Sequence, residues 1–313
     1  MSAGVALVFI AVALVVLCIA LAMAVTAARR GAMGGASSDA ESEVNFGPRA
    51  PLIDPAAVRG ATAAALRDVP GFGPAGRNHP RIRDIATRFG LAPGAVASLR
   101  TMELSRLAGP ASHRARSDPR LGREFSAARR AGPEALVAAA QRARVPPMAA
   151  LRVAGDGQPT AAELAVVGAA DIGSRIAGEA TRARATAFEH EVGAVLRAQH
   201  IEFRTEDDIR AAATAAGAPP PALTPDFLID GRRGADGTLS PVTFRGQPLR
   251  WVDAKNYPGT GHRLTAAKLV TTAAKYHAAF GPGAFVFAGG IARGYDPAPG
   301  NASVVGFVSS AGD

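Results

Sequence analysis

The chain has 313 residues, 48% of them hydrophobic and 19% charged, and 35 Lys+Arg against 26 Asp+Glu give it a formal charge of +9. That length suits roughly two modest domains, and the apolar content excludes a wholly disordered protein, which could bury no core. A single cysteine, Cys18, excludes an intrachain disulfide framework.

From Gly4 to Val25 no residue is charged. At about 1.5 Å rise per residue, this helical stretch crosses the roughly 30 Å hydrocarbon core of a bilayer, so residues 4–25 are expected to form one transmembrane helix. A cleaved secretory signal would carry a basic region ahead of a shorter apolar run, and nothing basic precedes Val5. Arg29 and Arg30 follow the span, and the positive-inside rule then puts the bulk of this single-pass membrane protein on the cytoplasmic side. Residues 31–54 contain Gly, Ser, acidic residues, Pro48 and Pro51 without apolar periodicity, and read as a flexible linker.

Residues 55–155 read as an arginine-rich helical region. Ile82, Ile85, Ala86 and Phe89, then Gly90-Leu91-Ala92-Pro93, then Val96, Leu99 and Leu104 give two amphipathic helices about a short turn, a helix-turn-helix-like pattern. A second copy starts at Pro133: Leu136, Val137 and Ala140, a turn near Val145-Pro146-Pro147, then Met148, Leu151 and Val153. A plain helical hairpin shares this periodicity.

Charge favours a nucleic-acid role for the region. Residues 1–150 hold 19 basic and 10 acidic side chains, whereas residues 151–313 hold 16 of each, so the whole excess is N-terminal. Between Arg77 and Arg144 there are 14 arginines against 5 acidic residues, a field suited to a phosphate backbone. Arg100, Arg106, Arg114, Arg116, Arg129 and Arg130 are the candidate contacts. A solvated basic face, or attraction to anionic lipid beside the anchor, fits the same charge.

The residues with chemistry to offer lie further on. Thr224-Pro225-Asp226-Phe227-Leu228-Ile229 opens an apolar strand after a Pro-rich loop, and a second strand, 249–254, ends in Asp253-Ala254-Lys255. Side chains alternate along a strand, so Asp253 and Lys255 share a face and Asp226 can meet them from the neighbouring strand. Two carboxylates and a backbone carbonyl, that of Ala254, suffice for a hard cation such as Mg²⁺ or Mn²⁺ held against a phosphate. Lys255 is one of only three lysines, with Lys268 and Lys275. Arginine keeps its proton at any ordinary pH while a lysine can be tuned, so a lysine beside an acid pair points to a chemical role, although an ion pair with Asp253 would also explain it. Upstream, Phe188, Val192 and Leu196 mark the buried stripe of a helix, and Glu189 at its edge is a candidate third ligand or an ordinary solvated glutamate. Scattered histidines lack metal-ligand spacing, which argues against zinc.

Glu189, Asp226 and Asp253-Ala254-Lys255, in the order helix, strand, strand, resemble the PD-(D/E)XK nuclease superfamily. Thr224-Pro225-Asp226, Trp251-Val252-Asp253-Ala254-Lys255 and Phe280-Gly281-Pro282-Gly283 look like its TPD-motif branch, the codanin-interacting nuclease family, as do Phe188-Glu189-His190-Glu191-Val192 and Thr205-Glu206-Asp207-Asp208-Ile209-Arg210. The resemblance is closest over residues 185–290. It implies a restriction-endonuclease-like α/β core at 180–313, a central mixed sheet flanked by helices, behind the all-α region. It also implies phosphodiester hydrolysis in nucleic acid, DNA ahead of RNA, with Asp226, Asp253 and Glu189 around Mg²⁺ or Mn²⁺ and Lys255 at the attacking water. Lys268 and Lys275 fall on a helix that the superfamily often turns to phosphate. The sequence departs from vertebrate members in carrying Asp253 in place of glutamate, Asn256-Tyr257-Pro258-Gly259-Thr260 after the lysine, and an N-terminal membrane span. An inactive membrane-anchored nucleic-acid-binding or adaptor protein is the alternative expectation.

Overall fold

The computed structural model describes residues 43–46, 50–155, 157–297, 300 and 302–307. The expected span at 4–25 lies outside them, as does most of the expected linker. Among the described residues, no helix is long and apolar enough to cross a membrane.

Proline sets the starts of the first six described helices: α1 (Pro55–Asp68), α2 (Pro80–Phe89), α3 (Pro93–Ser117), α4 (Pro119–Ala131), α5 (Pro133–Ala143) and α6 (Pro147–Val153). At the first helical position the missing N–H has no partner to lose and φ is already helical. Asp54 and Asp118 cap α1 and α4 by accepting from Ala56 N and Arg120 N at 2.8 and 2.9 Å. α2 ends at Gly90 in the left-handed conformation, φ 63°, which closes the turn into α3. Helix α3 continues through Pro110 to Ser117, a turn or more beyond the end read from its apolar repeat.

Neither helix pair stands alone. Ile82, Ile85, Ala86 and Val96 of α2 and α3 pack on Ala61, Ala64 and Ala65 of α1. Leu136, Ala139, Ala140 and Leu151 of α5 and α6 close around Phe125 of α4 and Val167 of α7 (Ala161–Ala169). Alanine-rich faces let these backbones approach closely, so a small aromatic content still gives dense layers.

The second half begins with α8 (Arg175–Ala198) and holds β2 (Ile201–Thr205), α9 (Glu206–Ala215), β3 (Phe227–Arg233), β7 (Trp251–Lys255), α10 (Arg263–Phe280), β8 (Gly283–Ala288) and β10 (Ala302–Phe307). The short strands are β1 (Leu52–Ile53), β4 (Leu239–Ser240), β5 (Thr243–Phe244), β6 (Gln247–Pro248) and β9 (Ile291–Ala292). The main sheet runs β10-β8-β7-β3-β2, with β4 on β3. Pairings β10·β8 and β8·β7 are parallel, while β7·β3 and β3·β2 are antiparallel. The chain is therefore α/β with a mixed sheet. One face packs on Phe188, Val192 and Leu196 of α8, the other on Leu269, Ala273 and Tyr276 of α10.

Part of the range expected to be a flexible linker is built into this half instead. Val44 and Phe46 are buried in the sheet core, Phe46 edge-on to Phe244 at 5.3 Å, and β1 pairs in parallel with β9. Two apolar side chains, Val44 and Phe46, just ahead of Pro48 and Pro51 were too few to show a period, yet enough to anchor an extended segment.

Trp251, fully buried at the start of β7, lies flat against the backbone of Gly283 on β8, so a β-carbon there would fall inside the indole. Gly283→Ala is expected to cost about 1–3 kcal/mol through overpacking, measured as a lower urea midpoint. An unchanged midpoint would show that the contact can relax.

Candidate active site

The register of β3 on β7 pairs Phe227 with Val252 and Leu228 with Trp251. Carried one residue further, it sets Asp226 opposite Asp253, where cross-strand side chains on one face come within contact range. Asp253 is buried, 2% exposed; Asp226 is half-buried at the mouth of β3. Their carboxyls are close enough to hydrogen-bond, and burial first, then the charge of Asp253, pushes the Asp226 carboxyl far above the usual carboxylate range. The neighbouring lysine charge opposes the shift only in part. Without a cation, this pair keeps a proton.

Lys255 leaves the same face of β7 and its Nζ donates to Asp253 Oδ1 at 2.6 Å. Ala254 points its methyl into the core but its N–H donates to Asp226 Oδ2 at 2.7 Å. In an extended strand the N–H and C=O of one residue leave on the same side, so the Ala254 carbonyl also faces the Asp226 side. The expected Asp226, Asp253, Ala254 and Lys255 are thus brought together.

Glu189 is not brought into contact with them. It sits half-buried on α8, held one position round from Phe188. Burial, with the charges of Asp253 and Glu206, raises its carboxyl, while Lys255 and His190 lower it. It feels the acid pair across space, but among the described residues no three His, Cys, Asp or Glu side chains gather closely enough to hold a metal ion. The packing of Phe188 and Val192 sets the edge of α8 on which Glu189 stands, within electrostatic reach of Asp253 and Lys255.

α10 braces the acids from behind. The buried Tyr276 donates its hydroxyl to Thr224 O at 2.8 Å, two residues before Asp226. Its ring meets Trp251 edge-on at 5.0 Å, two residues before Asp253. Trp251 Nε1 in turn donates to Gly281 O at 2.9 Å. Nothing in the sequence marked this bracket, because its partners are backbone carbonyls. Lys268 and Lys275 are exposed on the outer face of α10.

The arginines expected at phosphate divide sharply. Arg100 is 1% exposed and donates to the carbonyls of Val69, Gly71 and Gly73 at 3.0, 2.8 and 2.8 Å. Arg129 is nearly as buried, forked onto Glu163 with N–O distances of 2.6 and 3.1 Å and bonded to Gly155 O. Both are corrected to structural roles, since their donors are already used inside the fold. Arg106 is paired with Glu103, whose other oxygen meets His262 Nε2 at 3.2 Å and so joins α3 to the start of α10. Arg114 donates to Ala143 O and Arg144 O at the end of α5. Arg116 and Arg130 are exposed.

Residues 159–302 match the family model described as Protein of unknown function TPD sequence-motif. The match takes in Glu189, Thr224-Pro225-Asp226, the Asp253-Ala254-Lys255 strand and both exposed lysines of α10. No curated protein and no solved structure matches the chain.

Proposed function

We propose that this chain is a nuclease of the PD-(D/E)XK kind, hydrolysing phosphodiester bonds in nucleic acid, DNA ahead of RNA, with Mg²⁺ or Mn²⁺. Its N-terminal residues 4–25 would tether it to a membrane with the bulk of the chain on the cytoplasmic side. The observation that carries the reading is the opposed pair Asp226 and Asp253, short of water and crowded by like charge, with Lys255 beside them.

The donor set fits a divalent metal. Two facing carboxylates that cannot both ionise comfortably, and a backbone carbonyl on the same side, offer only oxygen, the ligand that hard cations take. Asp226 and Asp253 would hold the ion, which when bound supplies positive charge opposite the phosphate and acidifies water. The chain's own residues do the rest. Asp253 Oδ1 fixes Lys255 Nζ, which orients the attacking water at phosphorus. Ala254 N–H holds Asp226 Oδ2 in place so that the carboxylate keeps its angle. Glu189, at the edge of α8, adds negative potential that favours the cation.

One observation favours the second reading, an inactive membrane-anchored nucleic-acid-binding or adaptor protein: among the described residues no three His, Cys, Asp or Glu side chains are gathered as a metal-holding group. The full chain in detergent, incubated with single-stranded, duplex and branched DNA and with RNA in Mg²⁺ or Mn²⁺, separates the two. Expected is cleavage that EDTA abolishes and Asp253→Asn lowers by at least about a hundredfold, a loss typical of removing one transition-state contact, while binding persists. No metal-dependent cleavage of any substrate would leave the adaptor.

A further inference from the structure

Away from the acid pair, the described residues form a concavity of about 380 Å³ between α3 and α6, lined by Ser112, Arg116, Ala149, Arg152 and Val153. Ser112 and Arg116 lie one turn apart on α3, and Ala149, Arg152 and Val153 share one face of α6. Arg116 and Arg152 are exposed. Among the described residues neither guanidinium has a carboxylate or carbonyl partner, in contrast to Arg100, Arg106, Arg114 and Arg129, whose donors the fold uses. The floor is apolar, from Ala149 and Val153.

We infer that this groove binds one unpaired nucleotide of a single-stranded nucleic acid. Two free guanidiniums offer planar forks that match phosphate oxygens. The apolar floor, bordered by the two arginines, is a surface on which a sugar or base can rest without regard to sequence. The volume falls in the roughly 300–1,000 Å³ range of pockets that take small organic ligands, too large for a lone phosphate. A paired duplex presents its phosphates on a convex surface and cannot put a base into such a recess. Charge complementarity is regional as well, since 14 arginines and 5 acidic residues occupy 77–144. The inference rests on the nuclease reading for its meaning, because it names the substrate class as single strands, overhangs or flaps, but its test does not need cleavage.

The measurement is fluorescence anisotropy with the full chain, a labelled oligothymidine, a blunt duplex of equal length, and anionic phosphatidylserine vesicles as competitor. Arg116→Ala with Arg152→Ala is expected to weaken oligothymidine binding at least tenfold and duplex binding no more than threefold. The same charge removed at Arg67 and Arg175, which already pair with Asp68 and Glu179, should change either by less than threefold. Ser112→Leu fills the recess from a half-buried position on its wall and should reproduce the single-strand loss with charge intact, which guards against a folding defect in the double variant. Loss of single-strand binding in a chain that cuts nothing would support the groove while sinking the nuclease. Wild-type binding and cutting of single strands by all the variants would sink the groove and leave the nuclease standing. Equal losses for strand and duplex, or a loss confined to vesicles, would also overturn it.

Discussion

Asp226→Asn is expected to make the metal-free protein more stable at pH 8 while removing its proposed activity. In the unfolded chain an aspartate titrates near about 3.9, whereas in the fold burial and Asp253 hold the Asp226 proton to much higher pH. Between those two values the native state carries a proton that the unfolded state lacks. Stability therefore falls as pH rises through that window and is fully present only below the unfolded pKa. Because Asp226 is half-buried and faces Lys255, the expected loss is discounted to about 1–3 kcal/mol between pH 5 and pH 8. Asparagine keeps an oxygen for the Ala254 N–H and gives Asp253 a donor in place of a shared proton. Thermal melts in EDTA should show the variant about 2–12 °C above wild type at pH 8, at roughly 2–4 °C per kcal/mol for a chain of this size, with the difference shrinking towards zero as the pH falls below about 4. Mn²⁺ should raise the melting point of wild type and not of the variant. A variant less stable at pH 8, or equal to wild type there, would show that the two acids are not in conflict.

Arg100→Met is expected to be the most destabilising single change in the helical half. The guanidinium is 1% exposed and its partners are three carbonyls in the loop that follows α1. Val69 caps the C-terminal end of α1, where the helix dipole is negative, so the cation meets an already favourable potential. Burial lowers its pKa to about 10, which still leaves it charged at neutral pH. Methionine fills similar space but orphans three acceptors at about 1–3 kcal/mol each before relaxation. We expect a net loss of about 3–5 kcal/mol, the range for breaking a buried charged network, read as a lower urea midpoint. Arg116→Met, at an exposed position, should stay within about 0.5 kcal/mol. A midpoint for Arg100→Met as mild as that of Arg116→Met would return Arg100 to the list of phosphate contacts.

These contrasts show where a sequence stops being informative. The helices around 81–107 and 133–153 were legible because apolar residues recur at helical spacing and turn residues interrupt them. α1, α4 and α7 were not singled out: the buried face of α1 is alanine, which marks a helix but not a buried side, and α4 and α7 each bury too few apolar side chains, Phe125 and Val167, to show a repeat. The Asp253–Lys255 face was legible because strand side chains alternate, and two residues apart is one face in any sheet. Arg100 and Arg129 looked like every other arginine. Their partners are carbonyls 27 to 31 residues away for one, and Glu163 at 34 residues for the other, and main-chain acceptors leave no trace in residue identity.

By itself the amino-acid order determined the apolar stripes, the turn and cap positions, the excess of positive charge before residue 150, and the acids and lysine at the ends of two strands. Local period and backbone preference depend on neighbours in the chain, so they can be read without coordinates. Only the tertiary structure decided that Asp226 stands opposite Asp253, that Glu189 comes within electrostatic reach of Asp253 and Lys255, and which arginines remain open to a ligand. Each of those depends on a strand register or a helix offset fixed by packing between distant segments, and the same sequence pattern is compatible with several such offsets until the core chooses one.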